Sequence, residues 1–509
     1  MSASTNASPI IPAGDLFGAA LRSPILDKRP RNMADVVLLQ KALGVKNRKD
    51  LLGMSAKRDP FNAGGPADER DAHWFLDQWN AQGFSGATGV HLRKLHYRIV
   101  VLGDKVVKLP RQIEYTMDGK KCTADYYENL DAVWAYLTEA GAKARYLKLV
   151  PPDAFVDQRN PPPLINSQPF WTATPSWFVC GCDRWQLPTI HVDLAGEMAW
   201  ELPCGYVDGY DYGPGNQPYL VEVWCEKNTM DEVLKPLCEK HGANYVTAKG
   251  FQSITAAINI LQRAKQHGMA TRILYVSDFD PAGEKMPPAV ARQIEFWFEQ
   301  FAPGVDVKIN SIVLTLEQAK HYKLPTVPIK DSDKRAAQFL ERYGVKGAVE
   351  LDALDTLHPG ELDRIIEEAI CAYRDIDLAS RLNDAERTAQ RELDEVLNPA
   401  RHAAAQILGE IRTEAQKILQ RYEGQLRELS EELALEFAPL QDQLDTLREQ
   451  LDGELEQVKL ELPERPEAEI TPPDESGWLF DSSRDYLNQL QFYKPRHAAA
   501  NDEITEEAE

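Results

Sequence analysis

The sequence contains no run of about 18 apolar residues, the length that a membrane-spanning helix needs. Its first residues, Met1-Ser-Ala-Ser-Thr-Asn-Ala-Ser, lack the basic-then-apolar pattern of a secretory leader. Neither a membrane partner nor export is therefore expected. Cysteine is scarce and odd in number, with seven scattered from Cys122 to Cys371. That is no disulfide framework and suits a reducing cytoplasm. Cys180-Gly-Cys182 has no second Cys/His pair at zinc spacing and reads as structural. A Gly-x-x-x-x-Gly-Lys-Ser/Thr loop and a dinucleotide fingerprint are both missing, so no nucleotide-hydrolysing engine is expected. Positive charge is also short: 57 Lys and Arg face 79 Asp and Glu, for a net charge of −22. Taken alone, that balance speaks against a nucleic-acid binder.

The distribution of charge changes that expectation. Residues 1–150 hold 22 Lys and Arg against 16 Asp and Glu, whereas the remainder holds 35 against 63. A basic front and an acidic back suggest that only the front meets a polyanion. The 509 residues predict about three domains at roughly 100–200 residues each. With 43% apolar and 27% charged residues the composition is that of a globular protein.

Residues 1–65 carry five prolines around one short helical stretch near 34–43 and read as a partly ordered extension. Over 66–160 the period turns helical. His73-Trp-Phe-Leu-Asp-Gln-Trp spaces aromatics by three to five, and Val90, Leu95 and Ile99 fall near one face. A further helix is predicted over about 126–144. Between the helices, Gly103-Asp104 and Asp118-Gly119 signal turns in a short β segment. Helices with such an insertion fit a winged helix-turn-helix. Residues 161–215, opened by Pro161-Pro-Pro and rich in Trp, Tyr, Gly and Pro, read as an irregular β-rich connector. Over 216–375 strands (219–224, 243–248, 272–277) alternate with helices (229–240, 253–267, 288–301), which predicts a parallel sheet wrapped by helices. The stretch 376–462 repeats apolar residues in steps of three and four and reads as a coiled coil, either an intramolecular hairpin or a dimer zipper. Pro399 and Pro439 are expected to break it. Residues 463–509 read as an acidic, flexible tail. The fold class expected is α/β, with a winged-helix domain, a parallel-sheet domain and a C-terminal coiled coil.

The sharpest local signal is Leu274-Tyr-Val-Ser-Asp-Phe-Asp-Pro-Ala-Gly, an apolar strand ending in Asp278 and Asp280. Residues two apart in an extended chain point to one side. Open α/β sheets place ligands at the carboxyl ends of their strands. Two carboxylates there repel each other, and Mg²⁺, which takes oxygen ligands, relieves that repulsion. The bland alternative is a capped turn with Asp280 as the cap. A second strand, Tyr219-Leu-Val-Glu-Val-Trp-Cys-Glu-Lys-Asn, ends in Glu226. If the two strands are neighbours, Glu226, Asp278 and Asp280 converge on one metal ion. Glu222 is expected mid-strand, outside the site. Lys227 and Lys249 either touch phosphate or brace the site, and Glu350 and Asp352 are expected to play supporting or structural parts.

Glu226-Lys227 after one strand, Lys249-Gly250 after the next and Asp-x-Asp-Pro-x-Gly after the third together resemble the Toprim domain. The likeness is to the version in the A subunit of type IIB topoisomerases and the related meiotic double-strand-break protein, and it covers roughly 216–374. Val349-Glu-Leu-Asp-Ala-Leu resembles a stretch that follows such domains. In those relatives a preceding winged-helix domain carries a DNA-attacking tyrosine, within a helix that has Arg, two further residues and then paired aromatics. Arg93-Lys-Leu-His-Tyr matches that spacing, with His96 in the first aromatic position, a departure, and Tyr97 on the nucleophile position. Tyr126, Tyr127, Ala144-Arg145 and Asp157-Gln-Arg159 also resemble the relatives' following segment. The resemblance implies Mg²⁺-dependent DNA breakage by tyrosine transesterification, a homodimer for paired cuts, and a separate ATPase subunit for strand passage.

A phenol, with an ordinary pKa of about 10, is a poor nucleophile at neutral pH. Arg93, Lys94 and Arg98 lie on the same segment and could favour its ionised form. Attack on a phosphodiester would leave a 5′-phosphotyrosyl link. The basic set Arg93, Lys94, Arg98, Lys105, Lys108, Arg111, Lys120 and Lys121 makes a candidate phosphate-tracking surface, to which Lys249 is added from the second domain. No base-reading pattern is evident. Three alternatives stay open: a hydrolytic Toprim nuclease using water with Tyr97 as a packed aromatic, a non-catalytic DNA-binding scaffold, and primase-like nucleotidyl transfer.

Overall fold

The computed structural model describes residues 29–156, 161–168, 173–180, 185, 187, 200–202, 204–247, 254–330, 333, 335–422 and 430–493. The chain divides into two compact units: residues 1–169, 218–374 and 470–509 form one, and residues 170–217 and 375–469 the other.

The first unit begins with α1 (Met33–Leu43), capped by the Asn32 side chain, which accepts from Asp35 N, and ended by left-handed Gly44. Helix α2 (Pro66–Ala81) opens on a proline and buries Trp74, Phe75 and Trp79. The two-residue strand β1 (Val90–His91) leads into α3 (Leu92–Val100), where His91 Nδ1 accepts from Arg93 N and Leu95, His96 and Ile99 turn inward. Strands β2 (Lys108–Met117) and β3 (Lys120–Tyr126) form an antiparallel hairpin. Its turn is Asp118-Gly119, both at positive φ, the backbone that a two-residue hairpin turn requires. Helix α4 (Asp131–Tyr146) and strand β4 (Phe155–Val156), parallel to β1, close this part. The helix predicted from 126 starts five residues later, because 120–126 is drawn into the hairpin ladder and Tyr127 is buried between Trp74 and His96.

The connector forms a second hairpin, β5 (Ser176–Cys180) and β6 (Cys204–Asp208). The chain then alternates β7 (Tyr219–Cys225), α5 (Asp231–Lys240), β8 (Asn244–Thr247), α6 (Ile254–His267), β9 (Ala270–Val276), α7 (Met286–Phe301) and β10 (Val307–Val313). These four strands are parallel, in spatial order β8-β7-β9-β10. They are apolar on both sides because helices cover both faces. Trp224, Ile273 and Tyr275 pack toward α6 and α7, while Val221, Val223, Leu274 and Val276 pack with α5 residues Leu234 and Leu237. Four short helices follow: α8 (Leu316–His321), α9 (Ala336–Tyr343), α10 (Leu351–Leu357) and α11 (Glu361–Cys371).

In the second unit α12 (Leu378–Tyr422) and α13 (Ser430–Glu456) fold back on each other, with Leu408, Ile411, Ala415 and Ile418 against Leu433, Phe437, Leu440 and Leu444. The apolar seam is thus closed within one chain. Neither proline breaks its helix. Pro399 lies inside α12 and Pro439 inside α13. An interior proline costs about 3 kcal/mol, but buried residues continue on both sides, Leu393 and Leu397 before Pro399 and Ala404 and Leu408 after it. That packing holds the helix together.

The reading of 463–509 as a flexible tail is overturned for its described part. Pro463 O accepts from Tyr210 Oη at 2.6 Å, and Glu467 O accepts from Arg381 at 2.7 Å. Further on, β11 (Phe480–Asp481) pairs antiparallel with β10 as the sheet's fifth strand, and α14 (Tyr486–Tyr493) buries Tyr486, Leu490 and Tyr493. Five aromatics in 478–493 outweigh the acidic composition that suggested mobility.

Candidate functional site

The carboxyl ends of β7 and β9 are neighbours in register, Cys225 opposite Val276, so the residues that follow them emerge together. Beyond β9, Ser277 still exchanges backbone hydrogen bonds with β10, and Phe279 exchanges two, both 2.9 Å, with Val349. The chain is extended there. Phe279 turns in against Phe339 and Tyr343, which leaves Asp278 and Asp280 facing the other side.

Asp278 is buried. Its Oδ1 accepts from Leu351 N at 2.8 Å and its Oδ2 pairs with Lys227 Nζ at 2.9 Å. Burial nonetheless pushes its carboxyl above the usual range, and the Asp280 charge adds to this. Asp280 Oδ1 accepts from Gly283 N, so the capped-turn geometry is present alongside the acidic pair. A Cβ on Gly283 would stand 2.0 Å from the carbonyl oxygen of Asp278; only glycine lets the turn close.

Glu226 follows β7 directly and donates its backbone N–H to Val276 O at 3.3 Å. Its Oε2 is buried and has no hydrogen-bond partner among the described residues. Burial, then the charges of Asp278 and Asp280, push its carboxyl up to about 8. Such a group lacks a compensating positive charge. Lys227 offsets this only in part, since its ammonium is held by Asp278 (2.9 Å), Asp352 (2.9 Å) and Glu350 (3.7 Å). Lys227 therefore braces Asp278, and Glu350 and Asp352 anchor Lys227. This arrangement was not legible from spacing, because Glu350 and Asp352 come from a segment over 120 residues away.

Glu222 stands apart. Fully buried, it accepts from Arg263 at 2.7 and 2.8 Å, from Trp224 at 2.9 Å and from Asn244 at 3.0 Å, which makes it a saturated core group. A cleft of about 580 Å³ opens at Asp278 and Asp280, walled by Pro328, Lys330, Arg335 and Glu350. Arg335 is held by both oxygens of Asp333. A second cleft of about 700 Å³ reaches Asp278 from the side of Gly53, Lys285, Ser311 and Tyr493.

Mg²⁺ is the metal that the sequence leads us to expect here. Among the described residues no three carboxylate, imidazole or thiol groups gather at ligand spacing. Mg²⁺, however, commonly uses one or two protein carboxylates and completes its shell with water and phosphate oxygens. An orphaned, buried Glu226 oxygen beside two further carboxylates fits a cation in charge and in donor chemistry.

Tyr97 is elsewhere. It lies on α3, 57% exposed, and lines neither cleft at Asp278. The preceding His96 is the buried member of the pair. Its Nδ1 shares a 2.7 Å hydrogen bond with Tyr127 Oη, its Nε2 lies 3.2 Å from Asn129 Oδ1, and its ring meets Trp134 edge-on. Burial, with the nearby Arg93 charge, holds its imidazole below the usual pKa. Arg93, Lys94, Lys105, Lys108, Lys120 and Lys121 are exposed, on α3, the turn after it and the β2–β3 hairpin. Two other basic residues are committed: Arg98 donates to Gln82 O and stacks on Phe84 at 4.4 Å, and Arg111 faces Asp71 at 3.5 Å and Tyr136. Lys249, Gly250 and the 157–159 stretch lie outside the described residues. Compared with known proteins, the chain matches no family model and no curated protein. Among the described residues no helix is long and apolar enough to cross a membrane.

Proposed function

We propose that this chain is a Mg²⁺-dependent DNA-cleaving enzyme of the cytoplasm, similar to the A subunit of type IIB topoisomerases. In this reading, 66–160 is a winged-helix domain with β2–β3 as its wing, and the parallel sheet is a Toprim domain. The observation that carries it is the unpartnered, buried Glu226 carboxyl beside Asp278 and Asp280 at the ends of neighbouring parallel strands. Glu226, Asp278 and Asp280 hold the metal, which when bound supplies charge stabilisation to a phosphodiester and its leaving oxygen. Lys227 keeps Asp278 oriented through its 2.9 Å ion pair. Arg93, Lys94, Lys105, Lys108 and Lys249 track the phosphate backbone, and Arg98, exposed on the same helix but stacked on Phe84, borders that surface. Tyr97, exposed on α3, offers its phenol as the nucleophile.

Because Tyr97 lines neither cleft at Asp278, the tyrosine reading calls for the phenol of a second copy of the chain, and so for a homodimer. A separate ATPase subunit would be needed for strand passage. The same observation favours a second reading, hydrolysis by water within one chain. Incubation with supercoiled plasmid and Mg²⁺, with and without proteinase before electrophoresis, separates the two. Transesterification leaves protein attached to cut DNA, and Tyr97→Phe abolishes both cut and adduct. Cutting by Tyr97→Phe at the wild-type rate selects hydrolysis. A wild-type protein that leaves the plasmid intact, or an Asp278→Ala protein that still cuts, overturns the metal-centred proposal.

A further inference from the structure

The β5–β6 hairpin carries chemistry that the acidic site does not use. Cys180 ends β5, Cys204 begins β6, and the two are direct partners across the ladder. Facing residues of an antiparallel pair have Cα atoms about 4.5–5.5 Å apart, inside the range of about 4.4–6.8 Å that a disulfide spans. Both are thiols, with Sγ atoms 3.3 Å apart, and solvent reaches them: Cys180 is exposed and Cys204 half-buried. Cys204 Sγ also lies 3.2 Å from the Tyr206 hydroxyl oxygen. Hydrogen bonding with Tyr206 and with Cys180, and the Arg401 charge behind them, hold the Cys204 thiol below its usual range. The buried Cys225 and Cys238 are opposite in character, each pushed up to about 12 by burial. The hairpin backbone around the pair is fixed against α12. Gln390 donates to Gly205 O at 2.8 Å and accepts from Val207 N at 3.2 Å, and a Cβ on Gly205 would meet Leu393 at 2.6 Å.

We infer that Cys180 and Cys204 form an oxidisable dithiol that reacts with hydroperoxides and closes into a cross-strand disulfide. The Cys204 thiolate attacks the terminal hydroxyl oxygen of the hydroperoxide, the O–O bond breaks, hydroxide (from hydrogen peroxide) or an alkoxide (from an organic hydroperoxide) departs, and a sulfenic acid remains on Cys204. The Cys180 thiol then attacks the Cys204 sulfur, the S–O bond breaks and water departs with the Cys180 proton. The two sulfurs together lose two electrons, and the peroxide takes them. The product staples β5 to β6 where β6 already rests on α12, and a thiol reductant reverses it.

The test is peptide mass mapping of the full chain under non-reducing conditions, before and after a brief low dose of hydrogen peroxide. The expected result is an intact mass lower by about 2 Da, the two hydrogens lost, one linked peptide joining Cys180 to Cys204, and reversal by dithiothreitol. Cys204→Ser and Cys180→Ser each abolish the link, whereas Cys122→Ser retains it. Three outcomes overturn the proposal. One is a pair that stays reduced while Cys122 oxidises; another is a link from either residue to Cys182. The third is purified wild-type protein whose thiols are blocked by stoichiometric zinc. The wild-type map alone decides, so a variant that folds poorly does not obscure the answer.

Discussion

Glu226 is held where its charge is least welcome, and that has a measurable sign. Its carboxyl ionises near the ordinary 4.5 in the unfolded chain and at about 8 in the fold. Between those values the native state keeps a proton that the unfolded state has lost. Stability of the metal-free protein therefore falls as pH rises from about 4.5 to about 8, by an amount on the order of a few kcal/mol. Glu226→Gln lacks that fall, so its melting temperature should exceed the wild-type value at pH 8.5 and match it near pH 4.5. In the proposed site, Mg²⁺ competes with the same proton. Its apparent affinity should climb with pH until about 8, and calorimetry in buffers of different ionisation enthalpy should register proton release on binding. Equal affinity at pH 6 and 8 would remove Glu226 from the metal site. Gly283→Ala is the steric counterpart: its new methyl group meets the Asp278 carbonyl at 2.0 Å, a fixed backbone atom. A loss of about 3 kcal/mol or more in chemical denaturation is expected, along with loss of any Mg²⁺-dependent cutting. The Asp-x-Asp-Pro-x-Gly string made these residues legible, since strand end, turn proline and tight glycine all lie within six positions. For Lys227 the sequence left a brace and a phosphate contact as equal alternatives, and its pairing with Glu350 and Asp352 was not legible, because those partners arrive from beyond α9.

Elements were legible wherever a segment's own pattern decided its state. The β7, β8 and β9 strands and the α5, α6 and α7 helices fall within a few residues of their predicted bounds, because apolar runs and helical periods are local properties. Elements decided by distant partners were missed. Strand β11 is two residues long and exists because β10 offers an edge; α14 exists because α7 offers Arg292. That arginine is fully buried. It pairs with Asp59 at 3.1 Å and Glu295 at 2.7 Å and donates to Tyr486 Oη at 2.7 Å, while Tyr493 Oη donates to Glu295 at 2.9 Å. It thus joins the segment before α2, the helix α7 and the helix α14. Arg292→Leu leaves two buried carboxylates without their cation, for which about 3–5 kcal/mol is the usual cost. Urea unfolding should show that loss, and limited proteolysis should newly cut within 478–493. A variant with unchanged stability and no new cut would mean that apolar packing of Phe480 and Leu490 alone holds the C-terminal helix.

Across the whole molecule charge is acidic, yet six exposed cations gather on α3, the turn after it and the β2–β3 hairpin, and this cluster sets how the chain should meet a polyanion. Each phosphate neutralised on duplex DNA contributes about −0.9 to the slope of log affinity against log salt. Arg93, Lys94, Lys105, Lys108, Lys120 and Lys121 are exposed, so full engagement predicts a slope near −5. Arg98 and Arg111 are expected to add nothing, since their guanidinium groups are taken by Gln82 O with Phe84 and by Asp71 with Tyr136. The sequence counted all eight alike, because a basic residue's composition is local while its commitment depends on tertiary neighbours. The two sets can be told apart by fluorescence anisotropy on a short duplex from 50 to 300 mM salt. Replacing Lys120 and Lys121 together with alanine should flatten the slope by about 2 and weaken binding across unrelated sequences alike. Arg98→Ala should leave the slope unchanged and lower thermal stability, because it strips the cover from Phe84. The reverse pattern would mean that DNA approaches from another face and that the β2–β3 hairpin is not its wing.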